Sequence, residues 1–234
     1  AAVNVANVDN VFTAAIADAT RAADSVSAEA DADSLAVNVS AGVAAGSKDF
    51  GGMGSVTWQD MDNTVLAKAS DSAITADSLA VKAASNSQAV NVAGSVAYGK
   101  TAGVGAALAY NGLDNHIGAY LAGGSVTAKT PSTGVSVDVE GKNTGKIYGI
   151  GAAVAASQNA AVNGTVVMNH GGSDTEAVVG EVRPEDGTNT VKDTAVANAK
   201  AVKVKAESDD VRVAVAGNVS ASGKVALGGA VVAF

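Results

Sequence analysis

"VTWQDMDN" (56–63) holds the single tryptophan of a chain with 3% aromatic residues, and its copies decide how the chain is read. The same frame returns as "LAYNGLDN" (108–115) and "VNVANVDN" (3–10), and in degraded form as "VVMNHGGS" (166–173). The closing "VAF" (232–234) reads as the opening of a fifth copy. Val5, Trp58, Tyr110, Met168 and Phe234 then share one position. A position that accepts all of these asks only for an apolar body, so Trp58 is expected to pack; an aromatic on an outer face is the remaining reading, as a partner contact.

A second frame, "AVNVSAGVA" (36–44), returns as "AVNVAGSVA" (89–97), then weakens to "IYGIGAAVA" (147–155) and "RVAVAGNVS" (212–220). Residues 10–39 map onto 63–92 without a gap at a shift of 53, and later shifts are about 58 and about 65. The extra residues fall in polar stretches, "TAKTPSTG" (127–134) and "GEVRPEDGTNTVKD" (180–193), which hold both prolines. Insertions confined to such stretches are loops on a repeating frame. Repeats of this length mark stacked architectures.

Within a unit the pattern alternates with period two, as expected of half-buried strands. Val202, Val204 and Ala206 lie on one side, Lys203, Lys205 and Glu207 on the other. The same reading puts Val211, Val213 and Val215 inward with Arg212 outward, and Val90 and Val92 inward. The fold class expected is all-β, a right-handed parallel β-helix with about two coils in each unit of 53–65 residues. Nine or so coils at about 4.8 Å make a rod about 43 Å long. The pairs Asp9-Asn10, Asp62-Asn63 and Asp114-Asn115 are expected at turns, where Asn tolerates left-handed backbone, and, recurring every second coil, not as a continuous ladder. The Ala-rich stretch 12–33 resembles a helix locally, yet the ungapped shift runs through it, with Arg21 in the register of Ile74, so it too is read as strand.

Composition agrees. Of the residues 47% are hydrophobic, mostly Ala and Val, with 27 Gly, which suits a narrow interior. Only 16% are charged, so much of the chain should be covered by itself or by neighbours. The net charge of −8 and the lack of a basic stripe argue against nucleic acid. Without Cys there is neither a disulfide framework nor a thiolate metal site. No run of 18 apolar residues exists, and no membrane insertion by this segment is expected.

Several motifs invite a chemical reading. "GSVAYGKT" (94–101) matches the phosphate-loop pattern, but a strand-like stretch follows it where a helix is required. Its counterparts "AGVAAGSKDF" (41–50) and "AGNVSASGKV" (216–225) break the spacing, so Lys100 is read as a turn residue and no nucleotide is expected. His116 and His170 occupy different positions, and no zinc, Ser-His-Asp or Cys-His set can be assembled. Asp60 with Asp62, and Asp209 with Asp210, are the paired carboxylates a glycan-cleaving groove would use, but Arg21, Arg183 and Arg212 are far apart in the frame. The same carboxylates are oxygen ligands of the kind Ca²⁺ takes, although "DFGGMGS" (49–55) lacks the GGxGxD nonapeptide. No catalytic, cofactor-binding or metal residue is assigned, and no cofactor is expected.

"AVNVAGSVAYGKTAGVGAALAYNGLDNHIGAYL" (89–121) and its relative at 36–69 resemble the repeats of leukotoxin-like filamentous adhesins, large bacterial proteins exported by autotransporter-type routes. The resemblance implies a right-handed parallel β-helix, a cell-surface or extracellular location and adhesion without catalysis. The partner would be a cell-surface receptor or further copies of the chain. The whole of 1–234 is then one segment, open at both ends, of a longer array. A structural subunit of an extracellular fibre or surface layer and a polysaccharide-active β-helix enzyme are the alternatives.

Overall fold

The computed structural model describes residues 1–46, 49–182 and 190–234, and over them the chain is all-β. The strands are β1 (Ala2–Ala17), β2 (Thr20–Ala22), β3 (Ser25–Gly46), β4 (Phe50–Thr75), β5 (Ser78–Gly99), β6 (Ala102–Thr127) and β7 (Val135–Ser157). They continue as β8 (Ala160–Val179), β9 (Glu181–Val182), β10 (Thr190–Val191), β11 (Ala195–Ala197), β12 (Ala199–Ser222) and β13 (Val225–Ala233). The stretch 12–33 is strand, and Arg21 pairs with Ile74 as its register implies.

Two parallel sheets hold the long strands. The first runs β1-β4-β6-β8-β13, with β2 on β4 and β11 on β6; the second runs β12-β7-β5-β3. Only the small β9–β10 pair is antiparallel among the described strands. The chain alternates between the sheets, so each passage adds one strand to each.

The repeat shift is the distance from a strand to its neighbour. Val5 pairs with Trp58, Trp58 with Tyr110 and Tyr110 with Met168. Ala36, Ala89, Ile147 and Arg212 form a second aligned column. The last copy is displaced by one: Ala233, not Phe234, pairs with Met168.

Two coils per unit would put neighbours about half a unit apart. Instead a unit spends its residues on two runs of 22–26, such as β4 and β5, and advances each sheet by one strand. The stack is therefore four or five strands deep, about 20 Å at strand spacing, rather than nine coils. The Asp-Asn pairs expected at coil corners lie inside strands, their Asn side chains bonded in the interior.

One corner is real. Asp18, Asp71, Gly123 and Gly124 have positive φ (48°, 50°, 73° and 74°). Past Asp71 the inward set changes phase, from Val65, Ala67 and Ala69 to Ser72, Ile74 and Ala76. The register is kept on either side, Ser70 with Ala122 and Ser72 with Gly124, so the left-handed step bends adjacent strands together and re-aims their side chains. The bend sets off a short run in which Thr20, Ala73, Ser125 and Ala195 stack. A side chain at Gly124 would collide with the Ser72 backbone, so glycine is required there.

The interior differs along the strands. Toward this corner it is apolar: Val65, Ile74, Leu79, Val81, Ile117, Val126, Val137 and Val139 are at most 2% exposed. Toward the opposite end, where the chain turns at 100–101, 158–159 and 223–224, it is lined mostly by Ala, Gly, Ser, Thr, Asn and Gln, with Met53 and Val167 among them. We call these the corner half and the tip half.

In the tip half most valines face outward; Val167, 0% exposed, and Val232 in its column face inward. Val90 and Val92 lie half-buried on the outer face, Val213 and Val215 are 40% and 53% exposed, and Val211 is exposed too. Arg212 takes the inward column of Ile147. This reverses the expectation for 90–92 and 211–215. The cause is width: Cβ atoms at Gly51, Gly99 and Gly103 would strike the backbone of the facing strand. Sheets that close admit only small side chains, so the alternation places the small and amide-bearing set inside. The 202–206 reading holds, since Val202 and Val204 align with buried Val137 and Val139.

Candidate functional site: ladders and outer faces

Stacking identical residues makes ladders, and the chain builds two kinds. The Asp-Asn pairs sit in mid-strand, not at turns, and their Asn side chains form a continuous ladder, against expectation. Asn10 Nδ2 donates to Asn63 Oδ1 (2.8 Å), Asn63 Nδ2 to Asn115 Oδ1 (2.9 Å), and Asn115 Nδ2 to Asn143 Oδ1 across the interior (2.8 Å). Because the unit is one strand step, the amides lie one strand spacing apart, where each bonds the next. Asn63 and Asn115 are 1% and 3% exposed. Other amides clamp the two sheets together: Asn38 donates to the Trp58 carbonyl (2.9 Å), Asn91 to that of Tyr110 (2.6 Å) and Asn169 to that of Val213 (2.8 Å).

The Asp partners face out. Asp9, Asp62 and Asp114 stack on adjacent strands, with Asp60 on the same face of β4. Desolvation, and then the carboxylates of Asp60, Asp114 and Asp9, raise the Asp62 pKa. Beside this column Trp58 and Tyr110 stack with centroids 3.9 Å apart and planes 18° from parallel. Desolvation, and then the carboxylates of Asp60 and Asp114, also raise the pKa of the Tyr110 hydroxyl. Trp58 is 42% exposed, but one ring face lies on Tyr110 and its strand neighbours are Val5 and Tyr110. It packs, as its frame position implies, on an outer face.

The remaining candidates are dispersed. His116 Nδ1 lies 3.4 Å from Asp174 Oδ2, while His170 is exposed in the column of Asp60 and Gly112. Asp209 faces out and Asp210 faces in, where it accepts from Asn143 (3.0 Å). Arg212 donates to the Gly171 carbonyl of the other sheet (2.6 Å). Arg21 lies on the exposed edge strand β2, and Arg183 is outside the described residues. Among the described residues no group of three or more His, Asp or Glu is placed to hold a metal ion. Lys100 is exposed in a turn, and the residues after Thr101 form β6, so no helix N-terminus faces the phosphate-loop look-alike.

In the corner half the outer face of the second sheet is charged. Lys82 and Lys203 reach Asp138 from neighbouring strands (3.1 and 3.2 Å), and both also approach Glu140 (3.8 and 3.5 Å). Desolvation opposes the ionised form of Asp138, yet hydrogen bonds from the two lysines hold its carboxyl below the usual range.

No described helix is long and apolar enough to cross a membrane, which says nothing about strands. Compared with known proteins, the chain matches no family model, no curated protein and no solved structure.

Proposed function

We propose that the chain is a non-enzymatic segment of an extracellular adhesin stalk, a right-handed parallel β-solenoid with one repeat unit per turn. The supporting observation is the state of its ends. Val202 and Val204 on edge strand β12 are 50% and 48% exposed, whereas Val137 and Val139, one strand inward, are 2% and 0%. Such an edge has the side chains and the unpaired main chain to receive another unit. The polar loop at 127–134, and the insertion at 180–193 as far as it is described, lie outside the long strands and supply the variable surface for a receptor on another cell. The site of action is the bacterial surface or its surroundings.

The same bare edges favour a second reading, a fibre subunit that polymerises end to end. Electron microscopy and sedimentation over a concentration series test the shared claim. The expected result is rods that lengthen with concentration, abolished by Val204→Lys on β12. Compact particles that never grow would overturn both readings. Beads coated with the chain separate them: retention on cells, lost when 130–133 is deleted, supports the stalk, and polymer without retention supports the fibre.

A further inference from the structure

The tip half has the polarity of a protein turned inside out. Along the first sheet the outward residues are Phe50, Gly52, Gly54, Val56 and Trp58 on β4, and Ala102, Val104, Ala106, Leu108 and Tyr110 on β6. The second sheet presents Val90, Val92, Gly94, Val96 and Tyr98 on β5, aligned with Tyr148, Ile150, Ala152, Val154 and Ala156 on β7. No charged side chain stands on either outer face within these spans, among the described residues. Inside, over the same length, Ser55, Thr57, Gln59, Asn91, Asn111 and Asn163, each at most 5% exposed, lie among small apolar residues such as Ala93, Ala107, Ala109 and Val167.

Two further features define the band. From Phe50 to Trp58 is eight steps, about 26 Å of strand. Aromatics border it on both sheets: Phe50 and Tyr98 at the tip end, Trp58, Tyr110 and Tyr148 at the other. Beyond them the surface becomes polar at once, with Asp49, Lys100 and Lys224 past the first border and Asp60, Gln88 and Lys146 past the second. An outward apolar band about 25 Å tall, between two aromatic girdles and over an interior that carries amides and hydroxyls, is how strands meet a lipid bilayer. Four strands across give about 500 Å² of apolar surface on each face, more than a water-exposed surface ordinarily carries.

We propose that the tip half seats in the hydrocarbon of a lipid bilayer, with the charged corner half left in water. Partner proteins fit less well: one docking partner needs one apolar face, whereas here both faces change character at the same two levels. Open strand edges are not tolerated in hydrocarbon, so the seated units must be paired edge to edge, and the inference rests on the joining proposed above. The lack of a long apolar run does not bear on it, because strands that alternate never show one.

The unique tryptophan makes the test direct. The chain is floated with phosphatidylcholine vesicles whose acyl chains carry bromine at defined depths. The expected result is co-flotation, with Trp58 quenched most by bromines near the headgroups. In the double variant Trp58→Phe, Ala106→Trp, the new probe should be quenched most near mid-bilayer. Val96→Glu with Val104→Glu should cut the floated fraction at least tenfold, while Ala84→Glu on the outer face of the corner half should leave it unchanged; circular dichroism confirms that each variant is folded. Folded chain that remains in the aqueous layer overturns the proposal. So does equal quenching of the two probes, or a dimer that Val96→Glu breaks and vesicles do not. Rods that lengthen in buffer but never float would sink lipid seating and leave the stalk reading intact; failure to lengthen with or without vesicles would sink the joining on which both depend.

Discussion

The corner half and the tip half are made of the same strands, yet they solve opposite problems. In the corner half Ile117, Val65 and Leu79 fill the space between the sheets, and the lysines and carboxylates of β5, β7 and β12 pair outside. In the tip half most valines are outside, and amides and hydroxyls bridge the sheets. Sheet separation accounts for the difference. Toward the bend at Asp71 and Gly123, branched side chains fit between the sheets. Where the chain turns back at Lys100 and Thr101, the backbones approach until only glycine and small residues fit. Cohesion in the first half comes from apolar burial. In the second, sheet-to-sheet hydrogen bonds join a smaller apolar cluster of Ala93, Ala107, Ala109, Ala153 and Val167.

The most direct attack on this contrast is truncation. Ile117→Ala removes a fully buried side chain from the middle of the apolar core and is expected to cost about 3 kcal/mol. Val43→Ala in the tip half, where the side chain is 76% exposed, should change stability by less than about 0.5 kcal/mol. Urea denaturation of the two variants checks this; equal losses would mean that Val43 is inside.

A smaller effect is expected from the amide ladder. Asn115→Ala leaves the Asn143 carbonyl oxygen without its donor and takes the acceptor from Asn63; the loss should be about 1–3 kcal/mol. Asn10→Ala at the exposed end of the same ladder should cost less than about 1 kcal/mol. If the two losses, read from chemical denaturation, were alike, the ladder would not be acting as a buried network.

The charge columns give the smallest effects, with opposite signs. The folded-state pKa of Asp138 is lowered, so its ionised form stabilises the fold above about pH 4, and this is lost as the pH falls through the lowered value. The Asp62 pKa is raised, so its ionised form is destabilising at neutral pH, and the penalty disappears as the pH falls through that raised value. Asp138→Asn should therefore lower the melting temperature at pH 7, and Asp62→Asn should raise it, each by the equivalent of less than about 1 kcal/mol. As the pH is lowered, the Asp62 difference should shrink first, through its raised value, and the Asp138 difference only below about pH 4.

The chain's strand content, its parallel order and most of its register are legible in the sequence. The copies of one frame have to lie side by side, and Val5, Trp58, Tyr110 and Met168 do. Legible too are the loop at 127–134 and the packing of Trp58. Repetition reports which residues are equivalent, but not how many strand steps separate them. The stack is therefore four or five strands deep rather than nine, and the Asn of the Asp-Asn pairs form a ladder in mid-strand. Nor does alternation say which of its two sides is inside. Around Val90 and Val213 one side is valine, the other alanine, asparagine and glycine, and hydrophobicity alone favours burying valine. The distance between two sheets that meet at a tight turn reverses that choice. Such a distance is a property of the assembled fold and is written in no single strand.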